Sequence, residues 1–169
     1  MLDSFQNIVV SSFPNILEVE FKYINRKYLK VILINITFVY LSLLAAVFFL
    51  EYKNILGLEE VAFWLFLFIT ILFIYTIFIK IIGFKRRKFL VREKDISYKK
   101  GVFYKKITTV PFNRIQHVEI DQGPISRFFN LASLSVFTAG DSSDDLKVNG
   151  LLKDEAQQIK EYISNQIDG

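Results

Sequence analysis

The chain has 169 residues, 52% of them hydrophobic and 16% aromatic, with 18 Phe and a mean hydropathy of +0.33, too apolar for a water-exposed globule of this size. There is room for one compact soluble domain and a membrane unit, and not for two soluble domains. The absence of Cys excludes disulfides, thiolate metal sites and a cysteine nucleophile, whereas a net charge of +4 and a pI near 9.2 fit nucleic acid, an anionic membrane surface or a topology signal until the charges are placed along the chain.

Residues 1–30 form an N-terminal juxtamembrane segment. It carries Asp3 and lacks a basic n-region and a small-residue cleavage site, so no secretory signal peptide is expected. Val31 to Leu50 is a run of twenty uncharged residues, which as a helix spans roughly 30 Å, the hydrocarbon thickness of a bilayer. It is the first expected transmembrane helix (31–50), and a second uncharged run, Val61 to Ile79, begins the next (61–82). The connection 51–60, which contains Gly57, is short enough to force an antiparallel helical hairpin. Lys22, Arg26, Lys27 and Lys30 precede the first span, and Lys80, Lys85, Arg86, Arg87, Lys88, Arg92 and Lys94 follow or end the second. The connecting loop has only Lys53. Basic residues resist translocation, so both termini are expected in the cytoplasm, with 51–60 as an extracytoplasmic loop.

No ionisable residue interrupts either uncharged run, which argues against a proton relay or ion pathway. Asn35, Thr37, Ser42, Ala45 and Ala46 offer a face for helix packing, with Asn35 as a donor across helices. Self-association or a membrane-protein partner follows from that face.

Beyond Gly83 the period changes from helical to alternating. Expected strands are 88–92, 95–100, 104–110, 114–122, 133–138 and a weak one at 146–149, with Gly101, and Pro111 with Asn113, at turns. In the fourth strand Val118 and Ile120 share one face, opposite His117, Glu119 and Asp121, the pattern of a half-buried antiparallel strand. Leu152, Ala156, Ile159 and Ile163 form one apolar stripe of a final helix, with Asp154 and Glu155 in its first turn. Residues 84–169 therefore read as a mainly β barrel or curled sheet with a C-terminal capping helix on the cytoplasmic side.

Several motifs occur in order: YKKGVF at 98–103, VPFNRIQHV at 110–118, QGPISRF at 122–128, NLA at 130–132, TAG at 138–140 and GL at 150–151. Together they resemble the YdbS-like bacterial pleckstrin-homology (PH) domain proteins, which typically place one or two membrane helices before the domain. The resemblance implies a PH-like barrel with a C-terminal helix, no catalytic activity and no cofactor. Where that family usually has Gly after the Arg-Phe-Phe turn, this chain has Asn130, the next most tolerant residue for a left-handed backbone.

Three readings compete for the basic run Lys85, Arg86, Arg87 and Lys88: a topology determinant, an anionic-lipid headgroup site just cytoplasmic of a span, and nucleic acid. No RNA-binding aromatic motif or recognition helix supports the last, so no nucleic-acid partner is expected. Lys99, Lys100, Lys105 and Lys106 flank Gly101, a position resembling the loop with which eukaryotic PH domains hold phosphoinositides. They serve either as phosphate donors or as solubilising guards of a strand edge. Arg114, Gln116, Gln122 and Arg127 form either a partner surface or a set of groups that satisfy neighbouring turns. His117 with Glu119 and Asp121 reads as exposed strand polarity and not as a metal site, and Asp141 to Asp145 as a solvated turn.

The sequence thus reads as a noncatalytic, multi-pass protein of a bacterial inner membrane, its PH-like domain a protein-binding or assembly module at the cytoplasmic surface. The alternatives are an accessory subunit of an envelope transport or stress-defence system and an anionic-lipid headgroup sensor.

Overall fold

The computed structural model describes residues 19–53, 59–139 and 146–167. The expected solvated turn at Asp141 to Asp145, residues 1–18 and the centre of the helix connection lie outside them.

A two-residue strand, β1 (Lys22–Tyr23), precedes two long helices, α1 (Lys27–Tyr52) and α2 (Glu59–Lys85). At 26 and 27 residues each helix is about 40 Å long, several ångströms more than the hydrocarbon core. Neither behaves as the core of a soluble protein: in the most apolar window of each, 6% and 0% of residues are buried. Phe38, Phe48, Phe63, Trp64, Phe68 and Phe78 are all exposed, which water would penalise and lipid favours. The two helices pack together through Tyr40, whose hydroxyl shares a 2.8 Å hydrogen bond with Thr76 and lies 3.4 Å from the Leu72 carbonyl. Asn35 does not reach across as expected; its amide donates to the Val31 carbonyl of its own helix at 2.9 Å, because a short polar side chain satisfies itself most readily on the preceding turn.

After the helices come β2 (Lys88–Val91), β3 (Asp95–Lys100), β4 (Lys106–Pro111), a 3-10 turn (Phe112–Arg114), β5 (Ile115–Asp121), the short helix α3 (Pro124–Phe128), β6 (Leu131–Thr138), β7 (Leu146–Leu152) and the final helix α4 (Lys153–Ile167). They build two antiparallel sheets, of order β1-β2-β3-β4 and β5-β6-β7. Between the sheets lies one core that includes Ile96, Tyr98, Val110, Val118, Leu134 and Val148, and α4 closes it with Ala156 and Ile163. The pattern expected for β5 holds: Val118 is buried, Ile120 packs on the core, and His117, Glu119 and Asp121 face outward.

Three features depart from the sequence reading. Leu152 is not part of the stripe on α4; it ends β7, pairs with Leu131 and is 37% exposed. Pairing with β6 holds the strand to that point across a register shift at Gly150, which adopts φ +82°, a backbone state that carries little penalty without a Cβ. α3 was not expected, since five residues are too few to show a period, although Pro124 at its start is a helix-opening signal. Asn130, just beyond it, takes φ +56°, as its tolerance of the left-handed region suggested.

The largest departure concerns the N-terminal segment. β1 pairs antiparallel with β2, Lys22 facing Phe89 and Tyr23 facing Lys88, so the barrel extends beyond residues 84–169 to include a strand that precedes both helices. Ile24 belongs to the core, the Asn25 amide donates to the Gly150 carbonyl at 2.8 Å, and Lys22 forms an ion pair with Glu155 of α4. The helical hairpin is therefore an insertion between two neighbouring strands of one sheet. The sequence signal was only Phe21 to Ile24, too short to read as a strand beside so many lysines.

Candidate functional site

The eight basic residues singled out from sequence converge where α2 enters the sheet. α2 ends at Lys85, and a turn closed by Arg86 N–H to the Gly83 carbonyl and Arg87 N–H to the Phe84 carbonyl leads directly into β2 at Lys88. Antiparallel register then sets Lys88 opposite Lys99, and Lys100 opposite Lys106. The β3–β4 turn starts at Gly101, where φ is +119° and an added Cβ would lie 1.8 Å from the Tyr104 carbonyl oxygen. Only glycine allows the chain to reverse this tightly here.

The tip of this turn leans on the helix. Val102 packs against Gly83, where an added Cβ would lie 3.0 Å from its methyl, and Arg86 donates to the Val102 carbonyl at 2.8 Å. Phe103 and Tyr104, each 83% exposed, project from the tip. Lys85, Arg86, Lys88, Lys99, Lys100 and Lys105 thereby line one cup of about 280 Å³ floored by Gly101. A neighbouring cleft of about 370 Å³ is bounded by Arg87, Lys106 and Lys80, and shares Lys100 and Gly101 with the cup.

Like charges placed directly opposite on paired strands are destabilising, yet both facing pairs here are Lys on Lys. Among the described residues none of the eight forms an ion pair with a carboxylate. What offsets the repulsion locally is aromatic. The Lys88 Nζ sits 4.0 Å over the Tyr23 ring, Lys99 lies 5.9 Å from Phe21, Lys100 5.9 Å from Tyr98, and the Arg87 guanidinium 5.9 Å from Tyr28. Phe21 and Tyr23 come from the segment before the helices, so they were absent from the sequence reading of the site, as was Lys80. The cup has the donors, the size and the unbalanced charge to hold a phosphate-type anion.

Tyr98, beneath the cup, is 3% exposed. Burial pushes its phenol pKa up, and nearby Arg87 pulls the other way. The Asn149 backbone is close enough to favour the phenolate slightly, but the hydroxyl has no partner of hydrogen-bonding geometry among the described residues.

The four residues read either as a partner surface or as groups that satisfy neighbouring turns are not brought together. Arg114, which ends the 3-10 turn, and Gln116, near the start of β5, line an open groove of about 520 Å³ with Thr138 and Ala139. Gln122, beyond the other end of β5, donates to the Leu131 carbonyl at 2.9 Å, and Arg127 lies on α3. The seven residues of β5 separate the two pairs by about 20 Å. His117 stacks on Phe137 at 4.4 Å and lies 3.6 Å from Glu119. Asp121 accepts from Lys147 at 2.9 Å and from Ser135 at 3.2 Å; the bond from Lys147 is the main cause of its lowered pKa.

The profile described as "Bacterial PH domain" matches residues 29–167. Two relatives come from Bacillus subtilis (strain 168): UPF0699 transmembrane protein YdbS, 31% identical over 46% of this chain and 46% of its own length, and UPF0699 transmembrane protein YdbT, 26% identical over 55% of this chain and 19% of its own length. The chain thus aligns with less than half of either relative. A DUF1696 family protein with a pleckstrin-homology domain from Shewanella loihica PV-4 is similar to 50% of this chain at 22% identity, over 73% of that chain, with a TM-score of 0.39.

Proposed function

The chain belongs to the bacterial PH domain family, and from that premise we propose that it is a noncatalytic inner-membrane protein whose PH-like barrel holds anionic lipid headgroups at the cytoplasmic surface. The observation that carries this reading is the cup: six cations from α2, the turn after it, β2, β3 and the β3–β4 turn around one hollow, with no carboxylate partner among the described residues. Each Lys or Arg beside an anionic leaflet contributes about 1 kcal/mol. Because two helices already tether the barrel, that energy orients it against the bilayer and selects the lipids beside it. The exposure of Phe103 and Tyr104, with Tyr104 sharing a cleft with Ile79 and Lys80 near the end of α2, supports their entry into the headgroup region. In this reading both termini face the cytoplasm, and the 51–60 connection the opposite side.

The test uses the full chain in vesicles, with Phe103→Cys as the only cysteine, labelled with an environment-sensitive fluorophore. Emission shifts to the blue when phosphatidylglycerol replaces part of the phosphatidylcholine, and Lys99→Gln/Lys100→Gln/Lys105→Gln abolishes the shift. Identical emission in both compositions refutes the reading.

A second reading, assembly with another membrane protein, rests on Phe128, which is 85% exposed on α3 and stacks edge-on with Phe129 at 5.3 Å. A stoichiometric partner that copurifies with the wild type and is lost in Phe128→Ser supports it; retention of that partner by Phe128→Ser counts against it.

A further inference from the structure

Beside the cup, where the first turns of α1 and the last turns of α2 meet the barrel, lies a cleft of about 500 Å³. Its walls are Ile24, Leu29, Ile81 and Phe84, and two cations, Arg26 and Lys85, border it. Lys85 also lines the cup. An apolar hollow at the ends of two spans, sharing a cation with a basic hollow, has the two-part chemistry of an amphiphile.

We infer that the cleft receives an acyl chain of one phosphate-bearing lipid whose headgroup lies across Lys85 in the basic cup, so that the chain carries a resident anionic lipid. This rests on the headgroup reading above and extends it from the leaflet surface to a single bound molecule. Three observations support it. The cleft is larger than the cup and walled by hydrocarbon side chains, so a free phosphate or sugar phosphate leaves its walls unmatched. Leu29, Ile81 and Phe84 are only half-buried although they lie where two helices and a sheet converge, so packing within the protein does not fill the space. Tyr23, 62% exposed, borders the cleft while its ring underlies Lys88 of the cup, which makes one continuous surface from apolar wall to cation. Basic pockets between spans commonly take lipid headgroups; here the apolar half adds a requirement for the chain.

The experiment is native mass spectrometry of the full chain in mild detergent with equimolar phosphatidylglycerol and phosphatidylcholine. Wild type retains one phosphatidylglycerol per chain. Ile81→Trp, which fills the cleft, lowers retention roughly tenfold, while Ile74→Trp, on the lipid-exposed face of the same helix, leaves it unchanged. Lys99→Gln/Lys100→Gln still retains a lipid but without preference for phosphatidylglycerol. Thermal melting establishes that each variant is folded, and Leu29→Phe serves as a smaller filling if Ile81→Trp does not fold. Undiminished retention by the folded filled variant overturns the cleft and leaves the headgroup reading intact. Unchanged preference in Lys99→Gln/Lys100→Gln overturns the headgroup reading and, with it, the placement of the headgroup in the cup. Displacement of the lipid by millimolar glycerol 3-phosphate also overturns the inference, since the headgroup alone then suffices.

Discussion

Replacing Gly150 with alanine tests how firmly the barrel is joined to the helices. Gly150 lies in β7 at φ +82°, and an added Cβ would lie 2.5 to 2.8 Å from three atoms of the Tyr28 side chain, in the first turn of α1. Two costs follow. The left-handed backbone costs an L-residue about 1–2 kcal/mol, and forcing the ring away from a packed site costs about 1–3 kcal/mol more. For a chain of this length the combined loss lowers Tm by about 5 to 15 °C. The neighbouring hydrogen bond, from the Asn25 amide to the Gly150 carbonyl, gives a local readout: hydrogen exchange across residues 22–30 accelerates in the variant. A double-mutant cycle with Tyr28→Ala separates the two costs, because removing the ring relieves the overlap and leaves the backbone penalty. The expected coupling is about 1–3 kcal/mol. A Gly150→Ala protein that melts with the wild type, or a cycle with zero coupling, refutes the reasoning that contact with Tyr28 makes this position glycine.

Four other outcomes are expected. Tyr98→Phe removes a hydroxyl that is buried without a partner of hydrogen-bonding geometry among the described residues, so it stabilises by about 1 kcal/mol; a drop in Tm instead reveals a partner for that hydroxyl. Gly101→Ala cannot keep a turn whose Cβ position lies 1.8 Å from a carbonyl oxygen, and it abolishes the phosphatidylglycerol-dependent fluorescence shift while α1 and α2 stay helical by circular dichroism. The lowered pKa of Asp121 favours the folded state above the ordinary carboxylate range and ceases to do so as pH falls through the folded value. With a half-exposed pair the effect is under about 1 kcal/mol, so Asp121→Asn melts slightly below wild type at pH 7 and the gap closes in acid. Because the chain has no native cysteine, single cysteines report topology directly: an impermeant maleimide labels Lys53→Cys in intact spheroplasts and Lys94→Cys only after permeabilisation, and the reverse pattern inverts the proposed orientation.

The helices were legible because lipid exposure leaves no polar face: uncharged runs of such length have few alternatives. The later strands were legible as far as alternation and turn residues mark them, and β5 followed its pattern from His117 to Asp121, beyond a register shift at its start. What escaped were features set by long-range pairing. β1 is two residues long and becomes a strand only because β2 lies beside it. Leu152 fits a helical stripe by spacing, but pairing with Leu131 of β6 keeps it in β7. The basic run and the hairpin lysines were each visible along the chain, and no linear pattern tells that they share one hollow. Register decides that, through Lys88 facing Lys99. That Arg114 and Gln116 lie apart from Gln122 and Arg127 is hidden for the same reason: the four residues are close in sequence, and an extended strand carries the two pairs apart.

Insertion of the helical hairpin between β1 and β2 has a mechanical consequence. A domain strung after a span by a linker samples many orientations, and its headgroup affinity is spent on ordering it. Here both ends of the hairpin are fixed in one sheet, by Tyr23 facing Lys88 and Lys22 facing Phe89, and two glycines set the close contacts: Gly83 under Val102 and Gly150 under Tyr28. The swing left to the barrel relative to the helices is therefore narrower than that of a linker-strung domain, and under the proposed headgroup reading the cost of orienting it on binding is correspondingly smaller. A change in either closely packed contact is expected to act on lipid selection without touching a single cation.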